Sequence, residues 1–149
     1  LTTCFAFDLV WIGLYDRTEH RLFGKGGKSP IKDAPFLKQR FALTPGDVLE
    51  QVVIQQIPLT LPNLREEQRA NEWRKFAEKA NIQGTMISPI SCKDRCYGVA
   101  IIGSNLWGNF PKPEEQSLIS IALDEFAAIL ESAEKEWKRQ QIKQLDRPM

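Results

Sequence analysis

Residues 85–104 read TMISPISCKDRCYGVAIIGS, two apolar runs separated by the charged triplet Lys93-Asp94-Arg95. Each run places apolar side chains on both alternating faces: Met86, Ile87 and Ile90 in the first, Val99, Ala100, Ile101 and Ile102 in the second. Strands apolar on both faces are covered on both faces, so the pair is expected to form a hairpin in the interior of a sheet. The short charged connection suits a solvent-facing turn, and Gly98 leaves room for a close neighbour.

The flanking sequence supplies the rest of that sheet. Phe7–Tyr15, FDLVWIGLY, is a second two-sided apolar run and stops at the polar turn Asp16–Glu19. His20–Lys25 is the expected return strand, followed by a glycine-loosened loop, a short strand or extended arm over Phe36–Leu43, and a brief strand at Leu59–Leu61. Thr44-Pro45-Gly46-Asp47 carries helix-start chemistry, with Thr44 as cap and Pro45 at the first helical position, and Val48, Leu49, Val52 and Val53 repeat at helical spacing behind it. A charged helix is expected over Arg65–Ala80, its sparse inward stripe being Trp73, Phe76, Ala77 and Ala80. A long helix opens near Pro113; Leu118, Ala122, Phe126, Ile129, Ala133 and Trp137, widened by Ile121 and Leu130, form the stripe expected to lie on the sheet. Beyond Ala133 the sequence turns to EKEWKRQQIKQLDRP, so the helix is expected to outrun the domain, dividing the chain into 1–133 and a 134–149 extension.

Composition excludes several function classes. The 149 residues, 42% of them hydrophobic, suit one domain with a sufficient core. Twenty Lys and Arg against nineteen Asp and Glu give a net charge of +1, which draws the protein neither to nucleic acid nor to an anionic membrane. No apolar run has the length of a membrane span and nothing reads as a signal peptide. The three cysteines, Cys4, Cys92 and Cys96, lack a disulfide-framework spacing, which points to a reducing, cytoplasmic setting.

The order of elements, and the segments DLVWIGLYD, TPGDVLEQVV, PLTLPNL, TMISPISCKDRCYGVAIIGS and FPKPEEQSLISIALDEFAAIL, resemble the GAF family of sensory domains. The resemblance implies an α+β, profilin-like fold: an antiparallel sheet of about five or six strands between helices, with a long C-terminal helix. The family's usual first helix is missing or truncated before Leu1, and whether it lies upstream is not written in the sequence. The resemblance further implies that the chain is a regulatory, non-enzymatic domain of a multidomain signalling protein such as a sensor histidine kinase. The ligand cavity of the family would here be roofed by Arg65–Ala80, with Trp73 and Phe76 pointing in and Trp11, Phe41 and Met86 as floor. Such aromatics at helical spacing also serve as plain core, and the competing class is a ligand-free dimerisation platform.

Other candidates are set beside simpler roles. Cys92 and Cys96 flank the turn and are candidates for a reversible disulfide or, with Cys4, a metal site; Lys93 and Arg95 are expected to lower a thiol pKa there, although one C-x3-C is an incomplete ligand set. His20, the only histidine, sits by a surface turn, which argues against heme. Bilin-carrying members of the family that the chain resembles place a cysteine in the loop or helix over the pocket, and the absence of cysteine between Cys4 and Cys92 argues against covalent bilin. No nucleophile and base can be assembled into a catalytic group. Leu130, Ala133, Trp137, Ile142 and Leu145 keep a three-to-four step, and the family context makes them an expected homodimer seam. The ligand, the output domain and any action of the cysteines are not written in the sequence.

Overall fold

A computed structural model describes residues 7–30, 38–70 and 72–145 of the chain. Among these residues six strands form one antiparallel sheet: β1 (Leu9–Asp16), β2 (Arg21–Lys28), β3 (Arg40–Ala42), β4 (Leu59–Leu61), β5 (Thr85–Cys92) and β6 (Arg95–Gly103), in the order β3-β2-β1-β6-β5-β4. The 85–104 hairpin is therefore interior on both arms, as its two-sided hydrophobicity requires. Its turn is tighter than the charged triplet suggests. Only Lys93 and Asp94 lie in it, at φ 51° and 65°, the pair of positive angles that matches strand twist in a two-residue hairpin loop. Gly98 leaves room for the Gly13 carbonyl of β1: a Cβ there would stand 2.1 Å from that oxygen.

Two cores follow from strand alternation. One face carries Leu9, Trp11, Leu22, Phe41, Ile87, Val99 and Ile101 under two helices, α1 (Val48–Gln55) and α2 (Glu72–Ala80). The other carries Met86, Ile90, Ala100 and Ile102 under α3 (Pro113–Leu145).

Three local expectations are corrected. First, α1 is capped by Asp47, whose carboxylate accepts from the Leu49 amide at 2.7 Å, and not by Thr44. Thr44-Pro45-Gly46 instead forms a turn that the Thr44 carbonyl closes onto the Asp47 amide, with Gly46 at φ 86°. Second, Arg65–Ala80 is not one helix. Two 3-10 turns, Leu64–Glu66 and Gln68–Ala70, precede α2. In a straight α-helix Leu64 and Trp73 would point to opposite sides, and the broken path buries both. Third, α3 lays a different stripe on the sheet: Ile119, Leu123 and Ala127 are buried, with Phe126 and Leu130 packed alongside. Leu118, Ile121 and Ile129 face outward, each more than half exposed. Four-residue steps through Ile119, Leu123 and Ala127 bring small Ala127 against the sheet, and a helix with two apolar stripes can bury only one on a single surface.

Pro113 opens α3 at its first position, and the Glu115 carboxylate caps the Lys112 amide at 2.9 Å. The helix runs alongside β5 and passes the hairpin tip at Glu131 and Glu134. Cys4 lies outside the described residues, as does the side chain of Leu145.

Candidate functional site

Four of the five expected pocket residues converge. Trp11, on the alternating face of β1 that looks toward α2, meets Trp73 edge-on at 4.8 Å and Phe41 of β3 at 5.7 Å between ring centroids. Trp73 tilts against Phe41 at 5.3 Å and meets Phe76 edge-on at 5.5 Å. The absence of a side chain at Gly13 makes this possible, because the Trp11 ring lies across it and a Cβ there would come within 2.2 Å. Met86 is not part of the group. Strand alternation puts it on the opposite face with Ile90 and Ile102, beneath α3.

The four rings pack edge to face or tilted against one another, so Trp73 fills the space between lid and sheet. Beside the cluster a half-open cleft of about 270 Å³ remains, walled by Phe41, Thr44, Asp47, Leu49, Ala70, Glu72 and Trp73. Its walls are aromatic and apolar; its charged residues, Asp47 and Glu72, are both acidic. Asp47 is buried and Glu72 exposed at the first turn of α2. Sequence reasoning missed Asp47 and Glu72 as wall residues, since the cap was assigned to Thr44 and Glu72 to the middle of a longer helix.

The helix α1 that forms one wall is tied to the sheet by a chain of side chains. The Tyr15 hydroxyl lies 2.7 Å from His20 Nδ1, and His20 Nε2 lies 2.8 Å from a Glu50 carboxylate oxygen. Burial, followed by the negative surroundings of Cys96, Glu50 and Asp16, pushes the Tyr15 phenol up from its ordinary value. His20 is thus committed to a structural bridge from the β1–β2 turn to α1.

The two hairpin cysteines do not come together. A register shift between Ile90 and Ser91 pairs Ser91 with Cys96 and Cys92 with Arg95, leaving Cys96 in the core under α1 and α2 and Cys92 on the side of α3. Neither thiol is activated. Cys92 donates to Glu131 Oε2 at 3.2 Å, and that bond raises its pKa by more than Lys93 lowers it. Burial raises the Cys96 thiol, which donates to the Gly98 carbonyl at 3.1 Å. Among the described residues no group of three or more His, Cys, Asp or Glu is arranged to hold a metal ion.

Glu131 is the centre of a clasp between the hairpin tip and α3. Its Oε1 receives Lys93 and Lys135, each at 3.1 Å, and its Oε2 receives Cys92. Bonds from Cys92, then Lys135 and Lys93, hold its carboxyl down at about 2. Arg95 pairs with Glu134 next to it and lies over the Tyr97 ring. The sequence offered no signal for these pairs, which join residues nearly forty positions apart.

No family model matches the sequence, and no curated protein matches it. Solved structures do. The GAF domain of a phosphoenolpyruvate-protein phosphotransferase from Coxiella burnetii superposes with a TM-score of 0.76 at 15% identity, over 93% of this chain and 80% of that one. A domain of a putative two-component sensor histidine kinase from Sinorhizobium meliloti gives 0.69 at 12% identity, over 93% and 89%. Free methionine-R-sulfoxide reductase from Neisseria meningitidis, in complex with its substrate, gives 0.61 at 18%, over 89% and 70%. Among the described residues no helix is long and apolar enough to cross a membrane. The six-stranded sheet, its helix-covered faces and these superpositions together establish that the chain has the GAF-domain fold.

Proposed function

We propose that the chain is a regulatory sensor domain of a signalling protein, non-catalytic itself, that reads a small molecule in the cleft beside Trp73 and reports through α3. The observation that carries this reading is the lid: α2 packs on the sheet through the aromatic group together with Ala77 and Ala80, and the cleft opens against that aromatic group. A molecule entering there contacts Trp73 and Phe41 directly, so its binding energy bears on the lid position. Aromatic walls with buried Asp47 and exposed Glu72 among them suit an apolar body with a cationic or hydrogen-bond-donating end. Structures that superpose on this chain come both from a putative signalling protein and from an enzyme, and the regulatory reading is the one proposed for it.

The output half is a homodimer of α3 helices. Leu118, Ile121 and Ile129 present an apolar face away from the sheet, and Trp137 and Ile142 continue exposed beyond the hairpin tip. Leu130, placed in the seam on sequence grounds, packs toward the sheet, so the seam is built on the outward stripe.

Native mass spectrometry of the freshly purified chain, followed by thermal-shift titration with indole and tryptamine as probes, tests the cleft. A retained small mass, or stabilisation by tryptamine greater than by indole and reduced in Glu72→Gln, supports the sensor. A bare polypeptide mass with no shift from either probe favours the ligand-free platform.

A further inference from the structure

The hairpin tip is held from two sides by bonds that no sequence pattern announced. On one side Gln56, the left-handed residue that ends α1 at φ 55°, donates its side-chain amide to the Asp94 carbonyl at 2.7 Å. Only the nitrogen end of that amide can face a carbonyl, so the donor is fixed by chemistry. On the other side the tip residues Cys92, Lys93 and Arg95 grip Glu131 and Glu134 of α3.

We infer that α1 and the Lys93-Asp94 turn form a mechanical link from the cleft to the departing helix. The first turn of α1, with Asp47 and Leu49, is a wall of the cleft. The helix is short and firmly bedded through Val48, Leu49, Val52 and Val53, and at about 1.5 Å per residue it spans roughly 12 Å as one stiff body. Its far end is Gln56. Displacement of the first turn is therefore delivered to Asp94, and the two-residue turn, whose residues both sit in the left-handed region, has little slack to absorb it. The next groups in line are the Lys93–Glu131 and Arg95–Glu134 pairs, at the level where α3 leaves the sheet. A clasp of several charge-assisted bonds has closed and open arrangements that a small shift can trade, whereas the packed Ile119–Leu123–Ala127 stripe does not.

The link rests on α3 being the output, but it needs no ligand, and its test uses none. Hydrogen-exchange mass spectrometry of the full chain is compared for wild type, Gln56→Met, Glu131→Gln and the double variant. The Gln56–Asp94 bond is exposed, and Gln56 makes no hydrogen bond or ion pair with α3 among the described residues. Gln56→Met keeps its length and backbone while deleting the donor. Exchange in residues 128–138 is expected to rise about threefold in Gln56→Met, the scale of one exposed hydrogen bond, with sheet amides unchanged. The double variant is expected to rise by less than the product of the single effects, since both cut one line. No rise in α3, a rise spread equally over the sheet, or strictly multiplicative effects would each overturn the link. These outcomes do not depend on whether the cleft binds tryptamine, so the link and the sensor reading stand or fall separately.

Discussion

Replacing Trp73 with alanine tests the lid most severely. Trp73 is 2% exposed and in ring contact with Trp11, Phe41 and Phe76. Truncating a buried aromatic to alanine costs about 3–5 kcal/mol, the upper part of that range applying where neighbours cannot collapse into the space. Collapse is restricted here, because Trp11 sits on the interior strand β1 and is pinned across Gly13. We therefore expect a loss of about 4 kcal/mol. Set against a domain stability of about 5–15 kcal/mol, the variant still folds but weakly, and at about 2–4 °C per kcal/mol it melts roughly 8–16 °C lower. Urea denaturation followed by far-ultraviolet circular dichroism gives the number. The vacated space joins the neighbouring cleft, so indole should restore part of the lost stability in Trp73→Ala while doing less for the wild type. A loss below about 1 kcal/mol would be too small for any buried aromatic truncation and would refute the packing of Trp73 between lid and sheet.

Further outcomes follow from other parts of the fold. Gly98→Ala forces a methyl group against the Gly13 backbone carbonyl and should cost about 1–3 kcal/mol by urea titration. Glu131 has a folded pKa below its ordinary value, so its contribution is complete above the usual carboxylate range and fades as pH falls from there toward about 2. The difference in urea midpoint between wild type and Glu131→Gln should accordingly be constant near neutrality and shrink steadily on acidification; a pH-independent difference would show that the clasp does not act through the carboxylate. The proposed α3 dimer should become a monomer in light scattering in the paired variant Leu118→Glu with Ile129→Glu, with the circular dichroism spectrum unaltered. An unchanged dimer would move the interface elsewhere.

The fold was legible because its two longest hydrophobic signals were unambiguous. Residues 7–15 and 85–104 are apolar on both faces, and only interior strands satisfy that pattern in this architecture. Helix boundaries read less well, since Thr44 and Asp47 are both good caps and only the turn closed at Gly46 decides between them. Periodicity located α3 but not its phase: Leu118 and Ile119 are equally hydrophobic neighbours, and the sheet chose one. The aromatic cluster was accessible to sequence reasoning because strand alternation and helical spacing each fix a face; Met86 was assigned to the wrong one. The clasp at Glu131 and the bridge from Tyr15 through His20 to Glu50 were not accessible, because their pairings of polar residues follow no periodicity and the Cys92–Glu131 and His20–Glu50 bonds span 39 and 30 positions. The same limit applied to the cysteines, whose separation onto opposite faces depends on a single register shift.

The four tryptophans allow lid and output to be watched in one spectrum. Trp11 and Trp73 report from the cluster, while Trp137 lies on exposed α3 beyond the hairpin tip. Fluorine NMR of the chain labelled with 5-fluorotryptophan, each line assigned by a single Trp→Phe substitution, should be recorded with and without Phe76→Ala, which loosens the lid. If the lid is coupled to α3, the Trp73 and Trp137 resonances shift or broaden together. A spectrum in which Trp73 moves while Trp137 stays fixed would contradict the coupling and leave the domain a platform without a signal to transmit.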